Sequence, residues 1–205
     1  MNSETREKKA RVWARDGLDF YVEPEAASAA LFRAERFVGD IYDPACGGGN
    51  IVRSALAAGY GAHGSDIRRR TTESWFTREI DFLNEPLAQA SANVVTNPPF
   101  FRGVGTEQFI RRALAFTTGK VAIFTSIKFL AGAARTTGIY TEFPPSRVWI
   151  LAPRPSCPPG EYLAAGGKAS GGTEDWIWLV WSRDTAAPAR FPQLGWLDTR
   201  EARRP

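Results

Sequence analysis

Two short stretches of the chain combine residue types and spacings that chemistry could use. The first, Asp43-Pro44-Ala45-Cys46-Gly47-Gly48-Gly49-Asn50, sets a carboxylate just before a run of glycines. Gly47 and Gly49 permit a tight turn and a close approach of backbone to ligand where a Cβ would clash. The second, Asn97-Pro98-Pro99-Phe100, follows the β-branched stretch Asn93–Asn97. Two successive prolines lock φ and remove two N–H donors. What remains is an array of acceptors, the side-chain amide oxygen of Asn97 and the carbonyl of Pro98. That array suits a planar exocyclic amine, which offers two N–H donors. Rigid acceptors of this kind would orient the amine and raise electron density on its nitrogen with little reorganisation. Positioning of the lone pair for in-line attack supplies much of the rest. Phe100 would offer a ring face to a base, and a rigid strand exit with Phe100 in the core is the alternative reading.

The glycine turn alone fits several nucleotide-like ligands. In the G-x-G-x-x-G spacing a third glycine would fall at Val52, so the dinucleotide pattern is broken. No Gly-Lys-Ser/Thr follows, which excludes a P-loop. Asp43 would sit awkwardly beside a pyrophosphate but suits a ligand with cationic character. S-adenosylmethionine, with its ammonium and its sulfonium, is such a ligand. Asp66 closes the next predicted strand, where a carboxylate can accept hydrogen bonds from ribose hydroxyls. A helix-entry carboxylate is the other reading of Asp43, and Cys46 reads as a small packing residue.

The elements that must position these groups follow from periodicity. Strands are predicted at 41–43, 61–66, 79–82, 93–97, 121–125, 147–151 and 176–181. Helices are predicted at 25–37, with Pro24 as first helical residue, and at 51–58, 106–116 and 127–134. Thr106 is the expected N-cap of its helix. Strands alternating with helices imply an α/β fold, a mostly parallel sheet covered by helices on both faces. Residues 152–175 hold five Gly and four Pro and show no helical period. They read as a long loop that returns the last strand antiparallel. Ligands in such sheets sit at the carboxyl ends of the strands, near the switch in strand order.

The two motifs resemble those of class I S-adenosylmethionine-dependent methyltransferases, above all the DNA amino-methyltransferases. Asp43–Asn50 is similar to their cofactor motif. Phe20-Tyr21-Val22-Glu23-Pro24 resembles the upstream motif that contacts the methionine part. Asp66 matches the ribose-binding acid, and Asp81-Phe82 the acid–apolar pair that meets the adenine ring. The resemblance runs from about Tyr21 to Trp181, in the motif order of small phage and prophage adenine-N6 methyltransferases. It implies a Rossmann-like, seven-stranded sheet with one antiparallel strand, and S-adenosylmethionine as cofactor. The cofactor residues it implies are Tyr21, Pro24, Asp43, Ala45, Cys46, Gly47, Gly49, Asn50, Asp66, Ile67, Asp81, Phe82 and Asn97. Asn97, Pro98, Pro99 and Phe100 would carry catalysis; Phe100, Arg102, Arg154, Ser156 and Tyr162 would meet the substrate. An apolar or aromatic side chain is usual in the loop before the last strand, where this chain has Cys157, with Tyr162 as a possible substitute. Enzymes that methylate glutamine side chains or guanine N2 carry similar Asn-Pro-Pro-aromatic motifs. Protein or RNA acceptors, and a catalytically silent module that binds cofactor and nucleic acid, therefore stand beside DNA adenine.

Composition sets the frame. The 205 residues suit one domain. Residues 1–15 are expected to be a flexible basic arm, 16–183 the catalytic domain and 184–205 a C-terminal tail. A net charge of +4 is compatible with a polyanionic partner and does not require one. Arg68, Arg69, Arg70, Arg102, Arg111, Arg112, Lys128, Arg135 and Arg154 are candidate phosphate contacts, and binding through them would weaken with salt. Two Cys and one His give no disulfide framework and no zinc spacing, so no metal is expected. No apolar leader or bilayer-length segment is present, so the chain reads as soluble and cytoplasmic, a monomer or weak dimer without a membrane partner. The segments outside the core are short, which implies a short or relaxed recognition site, or help from a partner.

Overall fold

The computed structural model describes residues 19–84, 86, 91–182 and 191–200, with the side chain of Arg102 excepted. The expected basic arm, 1–15, lies outside them. The chain runs α1 (Glu25–Ala34), β1 (Ile41–Asp43), α2 (Asn50–Ala57), β2 (Ala62–Asp66), β3 (Phe76–Glu79) and β4 (Asn93–Thr96). It continues through α3 (Val104–Phe116), β5 (Val121–Ser126), α4 (Ala133–Thr137), α5 (Ile139–Glu142) and β6 (Arg147–Ala152). It ends with α6 (Gly160–Ala164), β7 (Trp176–Trp181) and β8 (Gln193–Asp198).

The strands form one sheet in the order β3-β2-β1-β4-β5-β7-β6-β8. β7 runs antiparallel to both β5 and β6, and every other pairing is parallel. The expected mostly parallel sheet with one reversed strand is therefore present, with eight strands instead of seven. The eighth, β8, comes from the segment read as a tail. Its six residues pair in parallel with the whole of β6, Arg147↔Gln193 to Ala152↔Asp198. Leu197 on this strand is buried against the α1 face, and that contact gives β8 its reason to join the sheet.

Period-two alternation sorts the core into two layers. Val95, Phe124, Trp176, Trp178 and Val180 face the cluster that holds Ala27 and Leu31 of α1 and Ile51 of α2. Val94, Ile123, Ile177, Leu179 and Trp181 face the cluster that holds Phe109, Ile110 and Ala113 of α3. β7, Trp-Ile-Trp-Leu-Val-Trp, is buried at every position, as a central strand covered on both faces must be. Each such side chain contributes on the order of 1.5–3 kcal/mol. The Trp178 indole also donates to Ala27 O at 3.1 Å, so burying its N–H carries no unmet bond.

Four boundaries differ from the expectation by more than a residue. The helix expected at 25–37 ends at Ala34, where Glu35 takes an extended backbone. β3 spans 76–79, because Asp81 then accepts from Leu83 N and Asn84 Nδ2 and turns the chain. α3 begins at Val104 directly after the 3-10 turn Phe101–Gly103, so Thr106 lies inside the helix, fully buried, and caps nothing. The helix expected at 127–134 is a 3-10 turn, Ile127–Ala131, broken from α4 at Gly132. The 152–175 connection also holds the short helix α6.

Candidate functional site

The strand order reverses between β1 and β4, where an open parallel sheet forms a crevice. A cleft of about 930 Å³, including its open mouth, occupies this place. Its walls include Tyr21, Asp43, Ala45, Cys46, Gly47, Gly49, Asn50, Asp66, Ile67, Asp81, Phe82, Asn97 and Pro99. Thirteen of the residues singled out from the sequence are thus brought to one site by the ends of β1, β2 and β4, the turn after β3 and the stretch before α1.

The glycine turn is built by close approach. Gly47 and Gly49 have φ of +51° and +91°. A Cβ on Gly47 would stand 2.5 Å from the Phe20 ring, and one on Gly49 2.1 Å from Trp75. Gly47 N donates to Asp66 Oδ2 at 2.8 Å, which ties the turn to the end of β2. Asp66 Oδ1 accepts from Arg68 N at 3.0 Å and from the Arg70 guanidinium at 2.5 Å. Arg70 in turn stacks 4.2 Å from the Phe20 ring centroid.

Asp43 is 1% exposed and accepts from Ala45 N at 3.1 Å. Burial pushes its carboxyl well above the usual carboxylate range, and the negative charges of Glu23 and Asp66 push the same way. Burial likewise raises Glu23 to about 7, partly offset by the hydrogen bond from Asn97. The same burial, with Asp43 and Asp66 close by, drives the Cys46 thiol up, so Cys46 stays a neutral packing group among Val52 and Phe76.

Asn97 stands at the centre. Its Nδ2 donates to Tyr21 O at 2.8 Å and to Glu23 Oε2 at 2.7 Å. Its Oδ1 is buried and has no partner. An unmet buried acceptor costs about 1–3 kcal/mol, so a fold that keeps one invites a ligand donor. Tyr21 and Glu23 are held in place by the loop before α6. Val22 N donates to Pro158 O and Gly160 N to Phe20 O, both at 2.9 Å, and Tyr21 bridges to Pro159. The 152–175 segment therefore braces the Phe20–Pro24 stretch, and through it Asn97.

The other expected residues fall elsewhere. Pro24 caps the start of α1, and Pro98 is buried between Asn97 and Pro99, which line the cleft. Phe100 lies outside the main cleft, with its ring 6.0 Å from Tyr21 and 5.7 Å from Trp176. It lines a second, smaller pocket with Thr106, Ser126, Lys128 and Arg135. Cys157 is buried in the α1-side core, and Tyr162 on α6 packs its ring against Gly167, so neither walls the cleft. Ser156 Oγ is buried without a partner. Arg154 pairs with Asp175 at 2.7 Å, Lys128 with Glu174 at 2.7 Å, and Arg111 with Glu107 and Glu142. Local carboxylates thus balance several of the candidate phosphate contacts. Among the described residues no cluster of His, Cys, Asp and Glu could hold a metal, and no helix is long and apolar enough to cross a membrane.

No protein-family model matches the chain, and no curated protein is similar to it in sequence. Solved structures are similar in shape. A modification subunit assigned to a type I restriction enzyme of Vibrio vulnificus matches over 84% of this chain, with TM-score 0.51 and 12% identity. A TehB-like S-adenosylmethionine-dependent methyltransferase of Corynebacterium glutamicum matches over 77%, with TM-score 0.50 and 10% identity. The fold is that of the S-adenosylmethionine-dependent methyltransferases. This methyltransferase fold covers 45% of the restriction-enzyme subunit, so the chain spans under half that protein's length, and 86% of the TehB-like enzyme. A Lactococcus lactis protein described as a hemolysin shares it too, with 89% of this chain matched, TM-score 0.50 and 10% identity. One fold carries several names, so activity must be argued from the site.

The sequence gives Glu23 no role of its own within the Phe20–Pro24 motif, and it offers Arg70 only as a phosphate contact, whereas the structure pairs Arg70 with Asp66. Glu23 had a signal, a lone carboxylate between Val22 and a helix-opening proline in a motif already singled out. For Arg70 the signal was its place in a basic run, which does not single out Asp66 as its partner.

Proposed function

We propose that the chain is an S-adenosylmethionine-dependent methyltransferase acting on the exocyclic N6 amine of adenine in DNA. The observation that carries this reading is Asn97 Oδ1, a buried acceptor without a partner in the wall of the cleft. S-adenosylmethionine, when bound, supplies an electrophilic methyl group on a positively charged sulfur. Its fit rests on the glycine turn, Asp66 for ribose hydroxyls, and Asp81 and Phe82 for the adenine ring. Asp43 and Glu23, two buried carboxylates without an ion-pair partner among the described residues, suit its cationic groups.

Asn97 Oδ1 and Pro98 O accept the two N–H bonds of the target amine and direct its lone pair into the cleft. No tuned histidine base is needed, because the acceptors stabilise the positive charge that grows on nitrogen. Phe100, packed between Tyr21 and Trp176, offers its ring to the acceptor base from the smaller pocket that it lines with Lys128 and Arg135. A base in a duplex reaches such a pocket only when flipped out. A restriction-enzyme modification subunit of the same fold is compatible with a nucleic-acid acceptor.

Tritiated methyl transfer to DNA, RNA and protein side by side tests the reading. Label is expected in DNA as N6-methyladenine; label confined to protein or RNA would sink it. Asn97→Ala should lower turnover by about 100–1,000-fold and leave S-adenosylhomocysteine binding in place.

A further inference from the structure

We infer that Glu23 is a positioning residue: its carboxyl group holds the Asn97 amide with the oxygen turned to the acceptor, weakly when neutralised by a proton and strongly as an anion balanced by a cationic ligand. The inference rests on the role of Asn97 proposed above. The two ends of an Asn amide are alike in shape and opposite in hydrogen-bonding sense. Whatever receives the NH2 end decides which end meets the substrate. Here both N–H bonds are consumed, one by Tyr21 O at 2.8 Å and one by Glu23 Oε2 at 2.7 Å, and Oδ1 is the end left over. A neutral acceptor such as Tyr21 O holds the amide weakly. A carboxylate makes the stronger, charge-assisted bond.

Glu23 is fixed from behind. Its own carbonyl accepts from Asn50 Nδ2 at 2.6 Å, which links it to the first residue of α2. Pro24 then starts α1. The ionisable groups acting on Glu23 come from every element packed around it: Asp43 from β1, Arg53 from α2, Glu25 from α1 and Cys157 from the loop before α6. The Arg53 guanidinium is spent on Glu25 at 2.8 Å and Gly48 O at 2.6 Å. Burial keeps the Cys157 thiol neutral. Glu23 and Asp43 therefore share one dry corner of the cleft with no cation in contact among the described residues. A proton or a cationic cofactor must balance them. The carboxyl titrates at about 7, so the hold on Asn97 is set near neutral pH and strengthens when a sulfonium displaces the proton.

The side-chain amide of Asn97 reports this without any methyl transfer. In 15N-labelled full chain, its NH2 resonance, assigned by its loss in Asn97→Asp, should titrate across neutral pH. Saturating S-adenosylmethionine should move that titration to lower pH, and S-adenosylhomocysteine should move it less. Glu23→Gln keeps an acceptor without charge, so the resonance should stay near its bonded position and stop titrating. Glu23→Ala should release it and lower kcat by about 100-fold, with Glu23→Gln restoring most of the turnover and flattening the acid limb of the pH profile. An Asn97 amide indifferent to both variants would overturn the inference. So would Glu23→Ala turning over like the wild type, or Glu23→Gln as slow as Glu23→Ala. Should Glu23→Ala fail to fold, loss of the titration in Glu23→Gln decides. A wild type that methylates no nucleic acid would refute the proposed activity while the amide titration still judged Glu23.

Discussion

Glu23 lies just before helix α1 and Glu35 just after it, and both are nearly out of water, at 7% and 4% exposed. Their surroundings differ. Glu35 lies at the edge of the sheet where β5 and β6 begin and accepts from Arg147, from Trp149 Nε1 at 2.9 Å and from Lys120 Nζ at 3.0 Å. Burial works to raise its carboxyl, but the bonds from Arg147, Trp149 and Lys120 outweigh it and hold it below the usual range. Glu23 lies at the edge where the strands end, receives one neutral amide, and is raised to about 7. Asp43 beside it is raised as well. One carboxylate is saturated and closes the bottom of the sheet. The other is left short of partners where a ligand can supply what is missing. Perturbed, unmatched ionisable groups mark working sites more often than saturated ones do.

This contrast can be broken, most forcefully at Glu35. Glu35→Gln leaves Lys120 and Arg147 without their counter-charge and is expected to cost about 3–5 kcal/mol in urea unfolding. A smaller loss there than for Glu23→Gln would reverse the assignment of the two ends. Glu23→Gln should behave in the opposite sense. The folded carboxyl is raised from 4.5 to about 7, so the protonated group favours the folded state below that window. That advantage falls away as pH rises through about 7. Relative to wild type, Glu23→Gln should therefore gain up to ~3 kcal/mol between acid and mildly alkaline pH. Parallel stability curves for the two proteins would exclude a raised carboxyl.

Asp43→Asn removes the companion charge. Its preference for S-adenosylmethionine over S-adenosylhomocysteine in calorimetry should fall about tenfold, or ~1.4 kcal/mol. An unchanged ratio would show that the buried pair does not sense the sulfonium. The smallest effect belongs to Arg154, exposed and paired with Asp175. Arg154→Ala should cost under about 1 kcal/mol of stability. A DNA-binding salt slope lowered by about 1 would restore Arg154 as a phosphate contact.

Much of this was legible in the residues. The β-branched and aromatic runs at β4, β5 and β7 can only be strands of a covered sheet, and glycines at 47 and 49 are required where φ is positive and aromatic rings press on the backbone. Where local signals competed, legibility ended. Glu79–Phe82 looked like a strand, yet Asp81 spends its carboxylate on the turn that ends β3. Phe100 reads as a ring at the cofactor cleft, yet it packs on Trp176 and lines the neighbouring smaller pocket instead. β8 was invisible because its outward residues, Leu194 and Trp196, are exposed and break the expected alternation.

By itself the sequence determined the alternating α/β order, the glycine turn after Asp43 and the rigid acceptor exit at Asn97, because these depend on residues close along the chain. Only tertiary structure decided what those residues meet. Tyr21 and Glu23 reach Asn97 from over seventy positions away, and the Pro158–Gly160 loop braces them from further still. Which end of the Asn97 amide is left free, and whether a buried carboxylate is matched or unmatched, depend on groups that become neighbours only when the sheet closes.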